Sequence, residues 1–302
     1  MLVNLGSRGS KLALLQANYI KELLESTHTN LQVELQVIST SGDNIQDRPL
    51  PEIGGKGLFT AEIEAALLNH DIDLAVHSLK DLPSTLPEGL VYAGSPKRED
   101  ARDVFVSNCR QTLKDIPPGG TIATGSTRRK AQLLQFRNDL NILDLRGNID
   151  TRLRKLDEGK WDGILMAAAA LHRMDLKERA SQYLSPSEFV PSVGQGAIGL
   201  EIAENRKDVA QLLQPILHET TTLECTAERV FLKQLNGGCS VPIGCHARVL
   251  NAEFCIDGFL AKTDGEENIR ASLKGSSDAA LHLAEQLSEK FLNAGAKEVL
   301  SS

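Results

Sequence analysis

Residues 2–24 read LVNLGSRGSKLALLQANYIKELL, and the passage of this stretch from strand to turn to helix decides the fold. Leu2, Val3 and Leu5 make a short strand over residues 2–5. Gly6-Ser7-Arg8-Gly9-Ser10 is a turn, and Ser10 is a good N-cap because its side-chain oxygen accepts from an unpaired N–H of the first helical turn. Residues 11–24 then put Leu12, Leu15, Tyr19 and Leu23 on one helical face. Such a unit aims backbone N–H groups at any anion held in the turn, and Arg8 adds a formal positive charge there.

The unit recurs. Residues 121–124 are a strand, Gly125-Ser126-Thr127 a turn and residues 128–136 a helix. Residues 141–145 are a strand leading through Arg146-Gly147-Asn148 into a helix that carries Arg152. Residues 163–166 are a buried strand running into a segment that ends at Arg173. Further strands are predicted at 31–38, 73–77, 91–94 and 103–106, and a helix at 59–68. Strands alternating with helices predict an α/β fold. The charged segment 96–102 carries the chain into a second βαβ unit, and the linker 192–196 leads to a strand at 197–202 that returns to the first sheet. Helices are predicted at 208–217 and 222–235, then strands at 247–250, 253–260 and 269–273 and a closing helix at 279–292, and this last part is a small α+β unit with Cys239 on its loop. The expected division is residues 1–95 with 197–215, residues 96–196, and residues 216–302.

With 33 Lys+Arg against 40 Asp+Glu among 302 residues, the net charge of −7 predicts no general attraction to nucleic acid or an anionic membrane. Anion binding must come from local clusters. The N-terminal residues lack a signal pattern and no apolar run reaches membrane-spanning length. Five cysteines, an odd number, predict reduced thiols in the cytoplasm. Cys239 and Cys245 have no further Cys or His pair at zinc spacing, so no metal site is expected. Gly54-Gly55-Lys56-Gly57 lacks the spacing of a nucleotide-binding phosphate loop.

Three clusters carry chemistry. Arg8, Arg128, Arg129, Arg146, Arg152 and Arg173 all lie at or near strand-to-helix turns, which in an acidic chain points to a site for several carboxylates. HSLKDLP, residues 77–83, puts Ser78, Lys80 and Asp81 at the C-terminal end of a strand, where open α/β sheets bind ligands. An ammonium beside a carboxylate suits acid/base work on a charged substrate, although a plain surface ion pair fits the spacing too. LNGGCSVPIGCHA, residues 235–247, holds the thiol of Cys239 on a Gly-Gly turn closed by Pro242, where a group can be attached.

In order along the chain, GSRGSKLALLQA (6–17), GGKGLF (54–59), AVHSLKDLP (75–83), ATGSTRRKAQL (123–133), LRGNIDTRL (145–153), GQGAIGLE (194–201) and LNGGCSVPIGC (235–245) closely resemble the motifs of the porphobilinogen deaminase family. The resemblance spans essentially the full length. It implies two βαβ domains like the halves of a periplasmic binding protein around a cleft, plus a small α+β C-terminal domain. It implies a monomeric transferase that joins four porphobilinogen units head to tail, releasing ammonia, in tetrapyrrole biosynthesis. It implies a dipyrromethane cofactor bound as a thioether to Cys239, and Asp81 as the central acid/base. Arg8, Lys80, Arg128, Arg129, Arg146, Arg152 and Arg173 would bind acetate and propionate groups, with Ser10, Ser78, Thr124, Ser126 and Gln195 beside them. Lys56 and Phe59 would belong to a mobile lid. Small departures from the pattern are Leu79, Asp150 and His246. A non-catalytic solute-binding protein is the competing reading of the same fold, and Cys239 and Asp81 are the residues it would not need.

Overall fold

The computed structural model describes residues 1–44, 57–159, 161–236 and 241–300. Two expected site residues, Lys56 and Cys239, lie outside the described residues. Two mixed five-stranded sheets and one antiparallel three-stranded sheet organise the rest.

The first sheet has the order β2-β1-β3-β10-β4. Its strands are β1 (Leu2–Ser7), β2 (Gln32–Val37), β3 (Leu74–Ser78), β4 (Leu90–Gly94) and β10 (Ile198–Ala203). β1 pairs parallel with β2 and β3, while β10 runs antiparallel to β3 and β4. Every residue of β10 is buried, as expected of a central strand with both faces covered. The helices of this half are α1 (Lys11–Thr27), the short α2 (Ser41–Asn44) and α3 (Ala61–Leu68).

The second sheet repeats the plan as β7-β6-β8-β5-β9. It is built from β5 (Asp103–Val106), β6 (Thr121–Ala123), β7 (Asn141–Leu143), β8 (Gly163–Ala167) and β9 (Gln182–Tyr183). β6 is parallel to β7 and β8, and β5 enters antiparallel. Helices α4 (Thr127–Phe136), α5 (Ile149–Asp157) and α6 (Ala168–Arg173) follow β6, β7 and β8. Each sheet thus takes its antiparallel strand from across a chain crossing. The chain leaves the first sheet after Gly94 and returns to it at Ile198.

α7 (Lys207–Leu213) closes the first half, and Pro215 falls in the single 3₁₀ turn after it, so the helix predicted to run to residue 217 stops early. In the C-terminal domain, α8 (Glu219–Gln234), α9 (Ala280–Asn293) and α10 (Ala296–Leu300) pack on the meander β11 (Ile243–Leu250), β12 (Glu253–Ala261), β13 (Asn268–Ser276). Phe231 and Phe291 meet edge-on at 5.0 Å over Gly258, whose missing Cβ makes room for both rings. Glu228 of α8 fastens this domain to both crossings. It accepts from the Arg98 guanidinium at 2.7 Å, the Gly194 N–H at 2.6 Å and the Ala247 N–H at 2.8 Å.

Two further expectations need correction. α1 buries Gln16, Ala17, Ile20 and Leu24, whereas Leu15 and Tyr19 are exposed. Apolar residues wrap most of this helix, and the stripe centred on small Ala17 is the one that seats on the sheet. β11 also begins at Ile243 rather than at residue 247. Ile243, Cys245 and Ala247 alternate into the core, and Gly244 lets the strand lie against the Val190 and Pro191 carbonyls.

Candidate active site

The parallel pairing of β1 and β3 brings the turn at 7–10 and the loop at 78–81 side by side. Ser10 caps α1 as predicted, accepting from the Ala13 N–H at 3.3 Å. Ser78 donates to Gln16 Oε1 at 3.0 Å. The next three residues form one 3₁₀ turn in which Leu79 is buried, held under Gly194 and Gly199 where any Cβ would collide with it. That anchor fixes where Lys80 and Asp81 emerge. Arg8 lies 3.8 Å from Asp81, and the Phe59 ring covers the Arg8 guanidinium at 4.1 Å. Arg8, Ser10, Phe59, His77, Ser78 and Asp81 line a small recess.

The second sheet carries the matching strand-to-helix turns. Thr124 Oγ1 accepts the Ser126 N–H at 3.3 Å, and Ser126 caps α4 by accepting from the Arg129 N–H. Gly125 passes too close to the Leu145 carbonyl for a side chain, which draws the Arg146 turn alongside. Asn148 caps α5, and Arg152 on its first turn donates to the Gly147 carbonyl at 2.8 Å. Burial pulls the Lys80 ammonium down to about 8, with Asp81 opposing and Arg129 and Arg152 adding to the fall. Burial likewise pulls Arg152 down to about 10, helped by Arg129 and Arg146 and opposed by Asp81. Cations of both halves therefore sit in one another's field. Lys11 and Asp150, both exposed, face each other across the mouth at 3.9 Å, a contact worth little on its own.

Three of the expected ligand-binding residues are buried and share one partner, Asp103. Arg128 donates to Asp103 Oδ2 at 2.7 Å and to the Val190 carbonyl at 2.7 Å. Arg129 donates to Asp103 Oδ1 at 2.7 Å and to the Leu165 carbonyl at 3.0 Å. Gln195 donates to the Ala101 carbonyl at 2.8 Å and to Asp103 Oδ1 at 2.9 Å. Burial works against the Asp103 charge, yet Arg128 and Arg129 hold its carboxyl far below the usual range. Arg173 donates to the Gly196 carbonyl at 2.7 Å, beside the returning chain crossing. The sequence reading missed Asp103 and also Asp43, which pairs with Arg8. An aspartate opening the otherwise apolar strand DVFV was the available signal for the first.

Residues 3–211 match the family model described as porphobilinogen deaminase, dipyromethane cofactor binding domain, and residues 222–293 match porphobilinogen deaminase, C-terminal domain. The chain belongs to the porphobilinogen deaminase family. Porphobilinogen deaminase of Syntrophobacter fumaroxidans is 47% identical over 99% of this chain and 97% of its own. That of Syntrophotalea carbinolica is 45% identical over 99% of this chain and 95% of its own. Among solved structures, a periplasmic substrate-binding protein of an ABC transporter from Coxiella burnetii aligns at 15% identity and a TM-score of 0.46, covering 71% of this chain and 91% of its own. The first family match covers both five-stranded sheets, and the second covers α8 from residue 222 on, the whole three-stranded sheet and α9.

Proposed function

We propose that the protein joins four porphobilinogen units head to tail into a linear tetrapyrrole, releasing ammonia, with Asp81 as the group that handles protons. The observation that carries this assignment is the carboxylate of Asp81, beside Arg8 and Lys80 at the C-terminal end of the first sheet and in the field of Arg152 from the second. An ionised Asp81 can accept a proton from the pyrrole carbon after bond formation and can hydrogen-bond the departing amine. The surrounding guanidinium groups cannot take a proton, so they bind and orient.

The donor set suits a dipyrromethane. Lys80 is pulled down by burial and by Arg129 and Arg152, and Arg152 by burial and by Arg129 and Arg146, so acidic side chains entering beside them relieve both. Arg8, Lys80, Arg146 and Arg152 would hold those acids, and Ser10, Ser78, Thr124 and Ser126 would present hydroxyls and helix N-termini to them. Cys239 would be the point of thioether attachment. When bound, the group supplies the primer from which the chain grows. Arg128, Arg129 and Gln195 keep the floor rigid through Asp103, and Arg129 adds its field to the cleft. Arg173 steadies the returning crossing. Phe59 shields Arg8 from water, and Lys56 would act in the same lid.

We further propose three domains, residues 1–95 with 197–215, 96–196 and 216–302, in a cytoplasmic monomer. No helix among the described residues is long and apolar enough to cross a membrane, and the four described cysteines are free thiols, which supports a reducing compartment.

Asp81→Asn tests the assignment. Porphobilinogen consumption should fall by roughly 100-fold or more, in the range of a lost general base, while the intact mass still includes the cofactor. Full activity in that variant would overturn it.

A further inference from the structure

Arg8 is gripped by a carboxylate that no motif connects with it. Asp43, on α2, accepts from Arg8 Nε at 3.1 Å through Oδ2 and from Nη2 through Oδ1. Asp43 is itself pinned. The fully buried Thr40 donates its hydroxyl to Oδ2 at 2.7 Å, and the Asp43 N–H bonds to the Thr40 carbonyl at 3.0 Å. The Gly42 N–H donates to the Leu58 carbonyl at 2.8 Å, and a Cβ on Gly42 would collide with the Phe59 ring. The segment 40–43, the turn at 57–60 and Arg8 therefore pack as one body. Burial raises the Asp43 carboxyl, but the hydrogen bonds from Arg8 and Thr40 outweigh it and hold the group below its usual range.

A guanidinium offers a side edge, Nε with one Nη, and an end edge formed by both Nη groups. Asp43 occupies the side edge of Arg8. The remaining Nη1 is then directed toward the recess, 3.8 Å from Asp81 Oδ2. With the ring of Phe59 on its face, Arg8 has one orientation left.

We propose that Asp43 is a positioning residue: by locking the side edge of Arg8 it presents the end edge to Asp81 and so sets the orientation of the proton-handling carboxylate. This rests on the role proposed for Asp81 above. Removing the Asp43 charge leaves the positive charge of Arg8 in the recess, so attraction for an acidic substrate persists while the aim on Asp81 is lost. The effect belongs on kcat rather than KM.

The test is steady-state kinetics with porphobilinogen on wild type, Asp43→Asn and Asp43→Glu, each with intact mass and a thermal melt. Wild type is measured first, so failure of the underlying function shows there and is separate from failure of this proposal. Asp43→Asn should keep the cofactor mass and melt within a few degrees of wild type. Its kcat per loaded molecule should fall roughly tenfold or more, the scale of a lost charge-assisted bidentate pair, with KM changed less than about threefold. Asp43→Glu, which keeps the charge, should recover part of kcat. An unchanged kcat per loaded molecule would overturn the proposal, whatever happens to folding or loading. A KM lowered several-fold would also overturn it, because Asp43 would then be a competitor for the substrate's carboxylates.

Discussion

Asp103→Asn is the sharpest probe of how the cleft floor is held. Asp103 is fully buried and takes charge-assisted hydrogen bonds from Arg128 and Arg129, both nearly buried, and a further bond from Gln195. An amide of the same shape leaves two guanidinium groups side by side in a desolvated site with no counter-charge. Breaking one partner of such a buried ionic set costs about 3–5 kcal/mol, which for a chain of this size lowers Tm by roughly 10 °C. The folded carboxyl is held below its ordinary value, so its contribution is complete only above about pH 5 and is lost progressively as pH falls through the unfolded value toward the folded pKa. Wild type should therefore lose stability as pH drops from 5 to 3, and the variant should lose less over that window. Thermal melts followed by circular dichroism at pH 7 and through the acid range measure both. A variant that melts within about 2 °C of wild type at pH 7 would refute the argument, since the buried charges would not then depend on Asp103.

Two further outcomes follow from the cleft and its packing. Because the Lys80 ammonium sits at about 8, KM for porphobilinogen should rise as pH passes from 7 to 9 and this cation is lost, and Lys80→Met should show a high KM without that rise. Gly244→Ala puts a Cβ against the Val190 and Pro191 carbonyls, which are backbone and cannot swing aside. It should destabilise the protein by about 1–3 kcal/mol in denaturant titrations, the usual scale for overpacking.

Much of this architecture is legible along the chain because the decisive signals are local. The turn at 6–10 contains its own cap in Ser10, and the same signal at Ser126 marks the second sheet. Arg8, Arg146 and Arg152 are legible as candidates because each stands at or just after a strand-to-helix turn. What escapes a local reading depends on distant partners. The partner of Arg128 and Arg129 is one example: Asp103, 25 and 26 residues earlier, reaches them once β5 inserts beside β8. Asp43 meets Arg8 across 35 residues. The face of α1 escapes a local reading because its apolar residues form more than one stripe and the sheet chooses among them. The start of β11 was hidden by the glycine that makes its docking possible.

The most direct single measurement is the intact mass of the native protein and of Cys239→Ala, before and after incubation with porphobilinogen. The proposed function requires native protein to carry an excess over the polypeptide mass equal to two linked pyrrole units, directly or after incubation, and Cys239→Ala to remain bare. Native protein that stays bare after incubation, or a variant that carries the same excess, would contradict it.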